Sequence, residues 1–277
     1  MKISIIGMGR VGSTLAYTIL FRGLADELVL VDRDLKIATG EALDLQHAEA
    51  FTDHPMIVSP GELKDTANSE IIVISCSVPW SQDYTSRFDI GFDNLKLFKD
   101  IIPPLAQSSP EAKVLVITNP VDVMTYHAIK LTGFGSKRVF GSGTLIDSAR
   151  FRTMLSDRMG IHPDDLRAYI LGEHGDSQFP LFSMAVVGGS RILEDKISKE
   201  ICREASRAGY NVMSKKGHTN YAIGMAAALI IEAIVWDTHR TMPLSVLVEG
   251  FLNEHEVCLS LPVVIGKNGI TQVLEPE

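Results

Sequence analysis

The sequence predicts an α/β protein, with an open, doubly wound parallel sheet in its first half and a mixed α+β part in its second. Three observations lead there. Short apolar runs recur through the first half, segments of helical spacing separate them, and a glycine-rich turn follows the first run.

The strand candidates of the first half are Ile3-Ser4-Ile5-Ile6, Glu27-Leu28-Val29-Leu30-Val31, Glu70-Ile71-Ile72-Val73-Ile74 and Val114-Leu115-Val116-Ile117. Each is bounded by Gly, Asp, Asn or Pro, and near-continuous apolar runs suit parallel strands covered on both faces. Between them, Val11–Phe21, Leu35–Ala50, Asn94–Ala106 and Val123–Leu131 carry helical spacing. This half ends near Phe140-Gly141, which predicts a dinucleotide-binding domain over 1–141 and a substrate-binding and catalytic domain over 142–277. The second half mixes long helical stretches (Ser148–Met159, Ser198–Ser206, Thr219–Val235) with strand candidates near Met184–Val187, Ser245–Val248 and Leu261–Ile265. No internal repeat, low-complexity tract or long linker interrupts the chain.

Composition excludes several classes. Of 277 residues, 26 are Lys or Arg and 34 are Asp or Glu, for a net charge of −8. A mildly acidic chain has no electrostatic case for gripping nucleic acid or an anionic membrane. The longest later apolar stretch, Ala222 to Trp236, contains Glu232 and falls short of the ~20 residues that span a bilayer. Met1-Lys2 leads straight into an apolar run, so no targeting signal is expected. Three cysteines (Cys76, Cys202, Cys258) with no CxxC spacing argue against a disulfide framework and for a reducing, cytoplasmic location. With no HExxH either, a metal site is not expected.

Gly7-Met8-Gly9-Arg10-Val11-Gly12 fits GxGxxG between a strand and a helix, and Asp32 ends the second strand twenty residues beyond Gly12. In a Rossmann-type unit each part has a task. Gly7 permits the turn, Gly9 lets backbone approach a pyrophosphate at the helix N-terminus, and Gly12 allows close helix–strand packing. Arg10 and Val11, within the same motif, are counted with the cofactor-binding residues. Asp32 accepts hydrogen bonds from adenosine ribose hydroxyls and repels a 2′-phosphate, which favours NAD over NADP as the cofactor.

Among eight histidines, His174 has the most informative setting, Leu171-Gly172-Glu173-His174-Gly175-Asp176-Ser177. Flanking glycines free the backbone to present an imidazole, as acid–base chemistry near neutral pH requires.

Here a resemblance becomes specific. Gly141-Ser142-Gly143-Thr144-Leu145-Ile146-Asp147-Ser148-Ala149-Arg150-Phe151-Arg152 and Gly172–Ser177 resemble the L-lactate/malate dehydrogenase family. So do Gly40–His47, Thr118-Asn119-Pro120-Val121-Asp122, Lys216-Gly217-His218-Thr219-Asn220 and Gly266-Lys267-Asn268-Gly269-Ile270, all in family order. The resemblance implies an NAD-dependent oxidoreductase acting on a small L-2-hydroxy acid. His174 then exchanges a proton with the substrate's C2 oxygen, and Asp147 orients its ring. Arg150 clamps the substrate carboxylate with a planar fork that lysine lacks. Arg87 is the mobile-loop arginine that polarises the substrate carbonyl. Asn119 contacts substrate and nicotinamide, Asn119-Pro120 is a candidate cis peptide, and Thr219 lines the substrate pocket.

The stretch Ser75–Arg87 departs most from the family. Lactate enzymes carry Gln, and malate enzymes Arg, six residues before the loop arginine; counting back from Arg87 puts Ser81 there. No Lys or Arg occurs from Ser75 to Ser86, so a second substrate carboxylate lacks a counter-charge in this loop. Gln82 takes the glutamine's place if the register shifts by one. The reading is lactate dehydrogenase-like, with malate dehydrogenase or a low-activity NAD-binding member as the alternatives. Relatives continue into a long final helix where this sequence stops at Glu277. The Leu35–Ala50 helix resembles the family's dimer-forming element, so a homodimer or homotetramer is expected.

Overall fold

A computed structural model describes residues 1–79 and 87–276, with the side chains of Arg87 and Phe88 outside the description. Ser81 and Gln82 therefore lie outside the described residues. Six parallel strands form the first half: β1 (Lys2–Ile6), β2 (Glu27–Val31), β3 (Ile57–Gly61), β4 (Ile71–Ile74), β5 (Lys113–Val116) and β6 (Val139–Gly141). Helices α1 (Arg10–Arg22), α2 (Leu35–Glu49), α3 (Arg87–Ser108) and α4 (Val121–Thr132) connect them. In the sheet the order is β6-β5-β4-β1-β2-β3, the doubly wound arrangement.

Alternation along each strand divides the core into two layers. Ile3, Ile5, Leu28, Leu30, Ile71 and Val73 face one side, packed under α1 and α2. Val29, Val31, Ile72, Ile74, Val114 and Val116 face the other, under α3 and α4. Helix ends follow local chemistry. Asp34 caps α2 by accepting from Lys36 N–H, and Gly23 ends α1 in the left-handed region at φ 61°.

The second half holds α5 (Leu145–Met159), α6 (Lys196–Lys216) and α7 (Tyr221–Val235). Short strands β7 (Leu166–Arg167), β8 (Ile170–Leu171), β9 (Phe179–Pro180), β10 (Val186–Val187) and β11 (Ser190–Arg191) precede three longer ones. These are β12 (Arg240–Glu249), β13 (His255–Gly266) and β14 (Gly269–Val273). The sheet does not stop at the 141/142 boundary. β12 pairs antiparallel with β6, Ser245 opposite Gly141, and β13 and β14 extend it to nine strands. α7, whose Ile230, Ile231 and Ile234 are buried, covers the same face as α1. A smaller core of Phe151, Leu155, Ile170, Ile201 and Ala205 joins α5 to α6.

Several strands differ from the sequence expectation, β3 and the Met184–Val187 candidate among them. β3 contains Pro60 and Gly61, yet pairs along its whole length with β2 at the sheet edge, where a missing N–H is tolerated. The candidate at Met184–Val187 splits, with a 3-10 turn over Phe182–Met184 and only Val186–Val187 extended. Among the described residues, no helix is long and apolar enough to cross a membrane.

Candidate active site

The glycine turn opens at the C-terminal end of β1, where strand order reverses between β1 and β4, the place where doubly wound sheets bind ligands. Gly7 takes φ 103°, and a Cβ there would lie 2.5 Å from Cys76 Cα. At Gly12 a Cβ would lie 2.0 Å from the Gly7 carbonyl, so only glycine lets α1 start so close to the strand. Gly9 caps α1 without a side-chain hydrogen bond, and a Cβ on it would meet nothing within 4 Å. A helix N-terminus open to solvent and flanked by bare backbone fits a pyrophosphate. Asp32 holds the turn in place. Its carboxylate accepts from Met8 N–H at 2.8 Å and Asp34 N–H at 3.1 Å, fixing the glycine turn against the end of β2. Two oxygens with spare lone pairs remain for ribose hydroxyls. Arg10 is exposed and Val11 half-buried at the mouth of the turn. These residues fit NAD.

A cluster of titratable side chains is assembled from α5 and the loop after β8. Asp147 and Arg150 are three residues apart on α5 and share a face. His174 Nδ1 lies 2.6 Å from Asp147 Oδ2, and Arg150 Nη1 donates to Asp147 Oδ1 at 2.8 Å. Only 3% of the Asp147 side chain is exposed, against 26% for His174. Burial alone would lower the His174 pKa. The hydrogen bond and charge of Asp147, with the charge of Asp122, outweigh it and hold the imidazole above its ordinary value, Arg150 opposing. With Nδ1–H given to Asp147, the Nε2 edge is left for a substrate.

The separation of helix and loop is fixed by buried polar contacts. Thr144 Oγ1 donates to Ile170 O at 2.5 Å, and Ser148 Oγ accepts from Ile170 N–H at 2.9 Å. Gly172 exchanges backbone hydrogen bonds with Ser260 on β13. Gly143, at φ 51°, passes so close to β12 that a Cβ would lie 2.5 Å from Ser245 N.

Four contributors were given no role in the reading above, although Asp122 closes the Thr118–Asp122 block. Asp122, in the first turn of α4, accepts from His174 N–H at 2.7 Å and from Ser245 Oγ at 2.6 Å. Asn94 on α3 is fully buried; it donates to Asn119 O at 2.8 Å and accepts from Val78 N–H at 2.8 Å. It thereby ties the base of the 80–86 segment to the Asn119-Pro120 turn, whose peptide is cis. Gly209 on α6 faces Arg150, since a Cβ there would lie 3.3 Å from both Nη atoms. Ser245, the fourth, is fully buried on β12. Buried polar residues on apolar elements were the available signal, because such groups need partners.

His174, Asp147 and Arg150 are thus in direct contact, and the Asn119 turn joins them through Asp122. The Asn119 side chain is exposed. Thr219 is half-buried in the turn between α6 and α7; among the described residues no hydrogen bond links it to the His174 group. Arg87 opens α3, its side chain outside the description.

The chain is similar to known proteins over its whole length. Residues 1–141 match the lactate/malate dehydrogenase NAD binding domain, and residues 144–276 match the lactate/malate dehydrogenase alpha/beta C-terminal domain. L-lactate dehydrogenase of Synechococcus sp. (strain JA-3-3Ab) is 40% identical over 99% of this chain and 91% of its own. L-lactate dehydrogenase B of Hordeum vulgare is 42% identical over 99% of this chain and 83% of its own. Among solved structures, a lactate dehydrogenase from a Medee basin deep-sea metagenome library superposes with TM-score 0.96 at 35% identity, covering 100% of this chain and 91% of that one. The minor L-lactate dehydrogenase of Enterococcus mundtii gives 0.95 at 29% identity, covering 100% and 90%. The chain belongs to the lactate/malate dehydrogenase family, whose N-terminal domain binds NAD.

Proposed function

We propose that the protein interconverts pyruvate and L-lactate. The observation that carries the reaction type is one carboxylate, Asp147, holding both an imidazole and a guanidinium. His174 gives its Nε2 proton to the C2 oxygen during reduction and recovers it during oxidation, while Asp147 stabilises the imidazolium. Arg150 turns its fork to the substrate carboxylate, and Arg87 polarises the carbonyl from the loop side. Asn119 and Thr219 line the pocket, and Ser81, six residues before Arg87 in sequence, is assigned to reading the far end of the substrate. Bound NAD supplies or accepts the hydride. Gly7, Gly9, Arg10, Val11, Gly12, Asp32 and Asn119 hold it, so that 1–141 serves the cofactor and 142–277 the substrate.

Two observations support lactate over malate. The relatives described above bear lactate dehydrogenase names, and the Ser75–Ser86 stretch contains no cation for a second carboxylate. The reading extends to a cytoplasmic homo-oligomer, in which the exposed Leu35, Ile37 and Leu43 of α2 meet a second copy. NADH oxidation with pyruvate, followed by chiral analysis of the product, tests the reaction. L-lactate is expected; D-lactate, or turnover of oxaloacetate without turnover of pyruvate, contradicts it.

A further inference from the structure

The carboxylate of Asp122 has no part in the reaction as described, yet it is buried and spent on the acid–base loop. Its Oδ2 accepts the backbone N–H of His174 at 2.7 Å, and its Oδ1 accepts the hydroxyl of Ser245 at 2.6 Å. These contacts join three distant parts of the chain: α4, the loop after β8, and β12. We propose that Asp122 is a second positioning carboxylate for His174, which holds the loop by its backbone and biases the imidazole towards its charged form. The inference rests on the role given to His174 above.

The surroundings leave few other sources of charge. His174 is faced by Asp147 and Arg150 from α5 and by Asp122 from α4. Asp122 in turn meets Ser245 on β12, Glu173, and Cys258 on β13, whose thiol is pushed up to about 12 by burial and so stays neutral. Burial, helped by the charge of Glu173, holds the Asp122 pKa above its ordinary value, and the Ser245 and His174 N–H hydrogen bonds and the charge of His174 only partly offset the rise. A carboxyl group that accepts through both oxygens is paired as an anion. Asp147 fixes one ring nitrogen, whereas Asp122 fixes the main chain from which the ring hangs.

The sign of the effect separates charge from shape. Reduction needs His174 protonated and fails as pH rises through its pKa; oxidation needs it neutral and fails as pH falls. Asp122→Asn keeps an acceptor for His174 N–H and a polar partner for Ser245 but removes the charge. We expect both limbs to move to lower pH by about 0.5–1 unit. At pH above the parent midpoint, pyruvate reduction should drop roughly three- to tenfold, and at pH below it lactate oxidation should rise by a similar factor. Ser245→Ala, a milder change that leaves the Asp122 charge less well held, should move both limbs the same way by less. NADH binding followed by fluorescence should be unchanged in both variants. Equal loss in both directions at every pH, or an unshifted profile in both variants, overturns the proposal and leaves the role of His174 standing. If instead His174→Asn has the same pH profile as the parent, it is the His174 reading that fails.

Discussion

His174 and Asp147, twenty-seven positions apart in sequence, meet at 2.6 Å through Nδ1 and Oδ2. The same aspartate holds Arg150 at 2.8 Å, so the imidazole and the guanidinium share one buried anchor. Moving either residue disturbs the other.

Asp147→Asn keeps the shape of this anchor but removes its charge. We expect kcat for pyruvate reduction to fall by about 10²-fold or more, with NADH affinity held within a factor of about two. Stopped-flow NADH oxidation beside fluorescence titration measures both. An unchanged kcat means His174 is oriented by something else.

His174→Asn should retain NADH binding and lose roughly 10²–10⁴-fold in turnover, the usual worth of general acid–base help. Because His174 is held above its ordinary pKa, parent reduction should weaken as pH rises through that value and parent oxidation should strengthen. Rate profiles in both directions check the sign.

Gly209→Ala places a methyl against the Arg150 guanidinium, where a Cβ would approach both Nη atoms to 3.3 Å. The fork must give by a few tenths of an ångström. Misplacement on this scale should raise KM for pyruvate by roughly tenfold, with little change in NADH binding. Equal effects on cofactor and substrate would show that α6 itself had been disturbed.

Asp32→Ser removes the group expected to repel a 2′-phosphate, so the preference for NADH over NADPH should narrow. It also releases Met8 N–H and Asp34 N–H, so affinity for both cofactors should drop somewhat. An unchanged preference would assign Asp32 to holding the turn alone.

The sequence was readable where local chemistry decides structure. β1, β2, β4 and β5 are buried runs that no other element suits, and the glycine turn declared its neighbours. β6 escaped because three residues make no pattern, and β3 because Pro60 and Gly61 read as a break. α6 runs on to Lys216 because Gly217 ends it, although its last two turns are exposed and offer no apolar stripe. His174 stood out by its flanking glycines, whereas Asp147 and Arg150 came from a family resemblance. Asp122, Asn94 and Gly209 act through partners tens of positions away, and nothing beside them in sequence announces that distance.

The most direct test of the central claim is kcat/KM for pyruvate and for oxaloacetate, measured with NADH at one pH in the parent and in Ser81→Arg. The parent should prefer pyruvate, and the arginine should narrow or reverse that preference by at least about tenfold by supplying the missing counter-charge. A parent that already strongly prefers oxaloacetate would contradict the account, because the second carboxylate would then be met by a cation from outside the Ser75–Ser86 stretch.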